Sequence, residues 1–132
     1  MTSIPDSGHQ TPDAILVSRD LFFASKITGT AAALGFQVGV EGDPATAAIK
    51  AAETRCRCVI LDLTLPDLSV SDLLAALPAA HRPAVIAFGP HVDTVRLEEA
   101  RTAGCDEVFP RSKFSASLTS ILTHYLANKK MS

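Results

Sequence analysis

Five short apolar runs punctuate the chain: Ala14–Val17 (AILV), Gln37–Val40 (QVGV), Cys58–Leu61 (CVIL), Ala84–Phe88 (AVIAF) and Glu107–Phe109 (EVF). Their apolar character is continuous rather than alternating, which predicts strands buried on both faces, as in a parallel sheet. The second and fifth runs are the weakest and suit sheet edges. Between the runs lie helix patterns with their own start and stop signals. Asp20 precedes Leu21–Leu34 and Gly35 follows it, the N-cap and C′ glycine of a helix. Asp43-Pro44 supplies a cap and a first-turn proline for a helix to about Thr54. Ser69 with Asp72 resembles a capping box, and Pro78 closes that short helix. Asp93 caps a helix ending at Gly104. Leu118, Ile121, Leu122 and Tyr125 form one stripe of a last helix.

Strand–helix alternation repeated five times predicts one α/β domain with helices on both faces of the sheet. With right-handed crossovers, a flavodoxin-like doubly wound sheet in the order 2-1-3-4-5 is the simplest topology for this length. Met1 to Pro12 is polar and turn-rich and reads as a flexible leader. The domain is expected over residues 13–127, with 128–132 as a tail.

The 132 residues are enough to bury a core without metal or disulfide staples, and 47% are apolar. Trp is absent, so aliphatic and alanine packing must dominate. A net charge of −2 gives no basic footprint for nucleic acid. No apolar run is long enough to span a bilayer, and no early stretch reads as a signal peptide, so a cytoplasmic protein is expected. Cys56, Cys58 and Cys105 are an odd count without metal-ligand spacing. Cys56 and Cys58 flank Arg57 at a strand start and are expected to share a face as small buried groups.

In such a sheet, ligands bind beyond the carboxyl ends of the strands where strand order reverses, here between the first and third strands. Ser18-Arg19-Asp20 follow the first strand, Asp62 ends the third, Gly89 follows the fourth and Arg111 the fifth. Two carboxylates and two guanidiniums therefore converge on one crevice. An acid ending a buried strand needs partners. As bland roles, Asp20 serves as a helix N-cap and Asp62 as one half of a salt bridge. His91 stands near the same crevice, but a lone loop histidine is more often solvent-facing than a ligand. Pro66 shapes the loop after Asp62, and Ser112-Lys113-Phe114 is expected to form a turn with Phe114 against the sheet.

These segments carry a family resemblance. VILDLTLPD, with Asp62 ending an apolar strand and Pro66 four residues on, resembles the phospho-acceptor segment of response-regulator receiver domains. AILVSRD resembles their first strand with its acidic pair, AVIAFGPH their fourth strand, and AGCDEVFPRSKF the run into their fifth. The resemblance covers roughly Ala14 to Leu126. It implies that Asp62 stands at the phospho-acceptor position and Asp20 at a magnesium ligand. The other acid of the pair is Arg19 here. The family's hydroxyl residue falls at Gly89, or in another register at Phe88, and neither has a hydroxyl. The family's lysine falls at Arg111, with Lys113 close enough to compete, and its aromatic switch falls near Val108 or Phe109.

Receiver chemistry needs a carboxylate nucleophile, a hard cation and a fixed positive charge. Arg19 replaces an attractive carboxylate with a repulsive guanidinium. At ~4 Å and an effective dielectric near 20, each such charge is worth about 4 kcal/mol. Magnesium binding through Asp20 and Asp62 is therefore expected to be weak or lost, unless the long Arg19 stem swings outward. Arg19 and Arg111 are expected to neutralise the two acids in place of metal, locking the domain in one state.

The resemblance then implies a stand-alone, non-enzymatic, atypical receiver in phosphorelay signal transduction, acting through protein–protein contacts with a histidine kinase or another signalling partner. The fourth helix, fifth strand and fifth helix are the expected face, including Val92, Arg96, Glu99, Glu107 and Tyr125, and a homodimer through it is among the expected assemblies. Neither nucleic acid nor membrane is an expected partner. A conventional receiver phosphorylated on Asp62 with magnesium is the alternative. A small flavin- or nucleotide-binding protein of the same fold comes third, weakened by SRDLFFAS where a glycine-rich loop would stand.

Overall fold

The computed structural model describes residues 11–127. Residues 1–10, most of the expected leader, and residues 128–132, the expected tail, lie outside them. The strands are β1 (Ala14–Val17), β2 (Val38–Glu41), β3 (Cys58–Asp62), β4 (Ala84–Gly89) and β5 (Glu107–Pro110). All pair in parallel, in the order β2-β1-β3-β4-β5. The helices are α1 (Leu21–Ala33), α2 (Pro44–Thr54), α3 (Val70–Ala76), α4 (Thr94–Ala103), α5 (Arg111–Ala116) and α6 (Leu118–Leu126). The flavodoxin-like architecture expected from the apolar runs is the one observed, with strand ends displaced by one residue at most.

The helix signals act as anticipated. Asp20, Asp43, Ser69 and Asp93 each accept, through the side chain, a backbone N–H of the first turn. Gly104 ends α4 at φ 114°, a left-handed conformation that costs glycine nothing. One expectation changes. Ser112-Lys113-Phe114 lies in the six-residue helix α5 rather than in a turn, and the bend at Ser117 separates it from α6.

Because strand side chains alternate, the sheet divides the core in two. Ala14, Leu16, Ile60, Ile86, Phe88 and Phe109 pack against α1, α5 and α6. Ile15, Val17, Val59, Leu61, Val85 and Ala87 pack against α2, α3 and α4. Cys56 and Cys58 fall on opposite sides of this divide, contrary to expectation. The alternation rule needs extended strand, and β3 begins only at Cys58, after a bend at Arg57. Burial pushes both thiols above their ordinary pKa, and Cys105 up to about 11. Among the described residues, no helix is long and apolar enough to cross a membrane.

Candidate functional site

β1 and β3 end side by side at the switch point, with Leu16 opposite Ile60 and Val17 opposite Leu61. One step further, Ser18 and Asp62 are brought together on the α1 side of the sheet. Asp62 is 1% exposed and Ser18 3%, the only buried polar side chains among the described residues. Ser18 Oγ donates to Asp62 Oδ2 at 2.7 Å. Thr64 donates twice to Asp62 Oδ1, from its backbone N–H at 2.9 Å and its hydroxyl at 2.6 Å. The backbone contact is the local turn by which an aspartate satisfies itself two residues on. Both oxygens of the buried carboxylate thus have protein donors.

Asp20 is held separately. Its Oδ1 caps α1 by accepting Phe23 N–H at 3.0 Å, and its backbone N–H donates to Ser18 Oγ at 3.1 Å. Arg111, at the start of α5, donates to Asp20 Oδ2 at 2.7 Å. That guanidinium bond, with the Phe23 backbone bond next in weight, holds the Asp20 carboxyl below its ordinary pKa. The Arg111 guanidinium carbon also lies over the Phe23 ring, 4.2 Å from its centroid, a cation–π contact. Lys113 is exposed, so Arg111 is the cation of the crevice.

Arg19 does not face the acids. It is exposed, and its Nε donates to the Gly42 carbonyl at 3.1 Å, across the mouth of β2. Successive residues leave a strand end on opposite sides. With Ser18 turned in, Arg19 turns out, and its expected role beside Asp62 is not what the geometry places there.

Gly89 is corrected as well. A Cβ built on it would meet Leu63 Cβ at 3.2 Å and Leu97 Cδ2 at 3.6 Å, on the side away from Asp62. Phe88 is the residue paired with Asp62, and it shares that face. Phe88, rather than Gly89, is therefore the residue that faces the crevice beside Asp62. Its ring stacks on Phe114 at 4.7 Å and tilts against Phe23 at 5.0 Å, so an aromatic cluster floors the crevice. Val108 and Phe109, the candidates for an aromatic switch, lie half-buried and buried. His91 is exposed.

Sequence reasoning missed three participants. Ser18 and Thr64 are the donors to Asp62, and signals for them were available: Thr64 stands two residues after the acid, and Ser18 directly follows the strand beside it at the switch point. Arg96 of α4 donates to the Leu63 and Leu65 carbonyls and so fastens the loop after Asp62. No local pattern marks such a contact across 31 residues or more.

Asp20 and Asp62 are the acids that would hold magnesium, which takes hard oxygen donors. Here all four oxygens of Asp20 and Asp62 are engaged by N–H or O–H groups.

No family model matches the chain, and no curated protein sequence matches it. Solved structures do match, and they define the class: the fold is that of response-regulator receiver domains. The receiver domain of a response regulator from Bermanella marisrubri is 24% identical, with TM-score 0.75 over 90% of this chain and 100% of that one. A response regulator from Hahella chejuensis is 17% identical, with TM-score 0.76 over 90% and 98% of the two chains. The receiver domain of a sensor histidine kinase from Pseudomonas aeruginosa is 20% identical, with TM-score 0.73 over 90% and 100%. Its crystal structure has a magnesium ion coordinated in the active site cleft.

Proposed function

We propose that this chain is an atypical receiver in two-component phosphorelay signalling, acting through contacts with a histidine kinase or another signalling protein rather than by catalysis. One observation carries the reading: the carboxylate at the phospho-acceptor position is almost wholly buried and has donors on both oxygens. Attack on a phosphoryl group needs an accessible carboxylate oxygen, and in this buried site Oδ1 already accepts from two donors and Oδ2 from one. The acid at the magnesium-ligand position is committed to Arg111 and to the α1 cap. Magnesium binding is accordingly weak in this reading.

The test is intact-protein mass spectrometry after incubation with acetyl phosphate and magnesium. The expected result is no added phosphoryl mass. A phosphoryl group mapped to Asp62 would replace this reading with the conventional one, in which Arg111 leaves Asp20 and magnesium enters. The position of Asp62 at the carboxyl end of β3 favours that second reading.

A further inference from the structure

The faces of α2 and α3 that point away from the sheet border an open groove of about 850 Å³. Its apolar side is made by Ala45, Ile49 and Ala52 of α2 and by Ala76 of α3. All four are exposed, Ile49 by 58%. Ala45, Ile49 and Ala52 recur at helical spacing on one face of α2. That face adjoins the buried one, where Ala47, Ala48 and Ala51 meet the sheet, and Ala48 reaches the groove as well. Small residues on two neighbouring helices leave room for a third helix to lie between them.

The rim of the groove is mostly acidic. Glu53, Asp67 and Asp72 line it, and among the described residues none of the three is in an ion pair. Arg19 is the one cation lining the groove, and it is already bonded to the Gly42 carbonyl and sits beside Asp43. Asp67 is held at φ 61° directly after Pro66, which fixes its place at the mouth.

We propose that this groove is a docking site for a basic amphipathic helix of a partner protein. The partner's small and aliphatic side chains would cover Ile49 and its neighbours, with Lys or Arg flanking them to meet Glu53, Asp67 and Asp72. The sign of the charge opposes nucleic acid and anionic lipid. It also opposes a two-fold contact with a second copy, because an isologous interface sets the same acids against themselves. Arg19 and the Pro66-Asp67 turn bring the groove up to the loops that border the crevice, but neither Asp20 nor Asp62 lines it.

The test titrates the full chain, labelled for amide NMR, with a designed Leu/Lys helical peptide of about five turns and with its Leu/Glu counterpart. Saturable shifts from the Leu/Lys peptide should be confined to α2, α3 and the Pro66-Asp67 turn. Ile49→Ser, and separately the triple variant Glu53→Gln/Asp67→Asn/Asp72→Asn, should each weaken binding by about tenfold. Asparagine tolerates the left-handed conformation at position 67, and far-UV circular dichroism of each variant checks that it folds. The proposal is overturned by an absence of shifts, by shifts scattered over the surface, by equal binding of the Leu/Glu peptide, or by variants that bind as wild type does. A dimer in sedimentation that Ile49→Ser dissolves also overturns it, because a second copy would then be the occupant.

Discussion

Ser18 does two jobs at once: its hydroxyl donates to buried Asp62 and accepts the backbone N–H of Asp20. Removing a donor from a buried carboxylate leaves the charge partly unpaired. Ser18→Ala should therefore cost about 1.5–3 kcal/mol, read as a lower urea midpoint at unchanged slope. Arg111 is half-exposed, so its bond to Asp20 is worth less, about 0.2–1 kcal/mol. It still leaves a signature in acid. The folded pKa of Asp20 lies below its unfolded value, so its stabilisation is present above ordinary carboxylate pH. That stabilisation is lost as pH falls through the folded value. Arg111→Gln should flatten this part of the acid-unfolding curve, as followed by circular dichroism. At this scale the sequence was half legible. Asp20 as a cap and Arg111 as the crevice cation follow from local pattern. The outward turn of Arg19 depends on which neighbour turns inward, and that is settled only when β1 and β3 pair.

The aromatic cluster links three elements, with Phe23 on α1, Phe88 on β4 and Phe114 on α5. Phe114 is the buried anchor of a helix only six residues long, which has no side-chain cap of its own. Phe114→Ala should cost about 3–5 kcal/mol in chemical denaturation. Amide exchange should speed up in α5 before α6. The same facts explain why α5 was not foreseen. A helix of under two turns shows no apolar period, and Pro110 before it reads as a breaker. Longer elements were legible because each carried two signals, an apolar run or stripe and a cap or C′ residue. The face assigned to Cys56 failed for the complementary reason, since strand alternation was extended past a bend.

For the molecule as a whole, burial on both faces of the sheet is what made the topology readable, because continuous apolar runs admit few arrangements other than a covered parallel sheet. The chemistry of the crevice was less readable, since it depends on which donors reach Asp62. Arg19 is bonded to a surface carbonyl, and the four carboxylate oxygens of Asp20 and Asp62 are engaged without it. Arg19→Asp should thus change stability by no more than about 0.5 kcal/mol. Millimolar magnesium should leave the melting temperature of both wild type and Arg19→Asp where it was. A rise with magnesium in the variant alone would show that the charge at position 19, rather than the internal hydrogen bonds, keeps the cation out.

The hydroxyl of Tyr125 on α6 donates to Glu107 at the start of the edge strand β5. The chain has no tryptophan and a single tyrosine. Its near-ultraviolet emission therefore comes essentially from one phenol, and a carboxylate acceptor quenches a phenol by drawing off the excited-state proton. The folded protein should be dim and should brighten when α6 and β5 part. Fluorescence at tyrosine wavelengths then reports that one seam without an added dye, and Glu107→Gln brightens the folded state and supplies the reference for the unquenched signal.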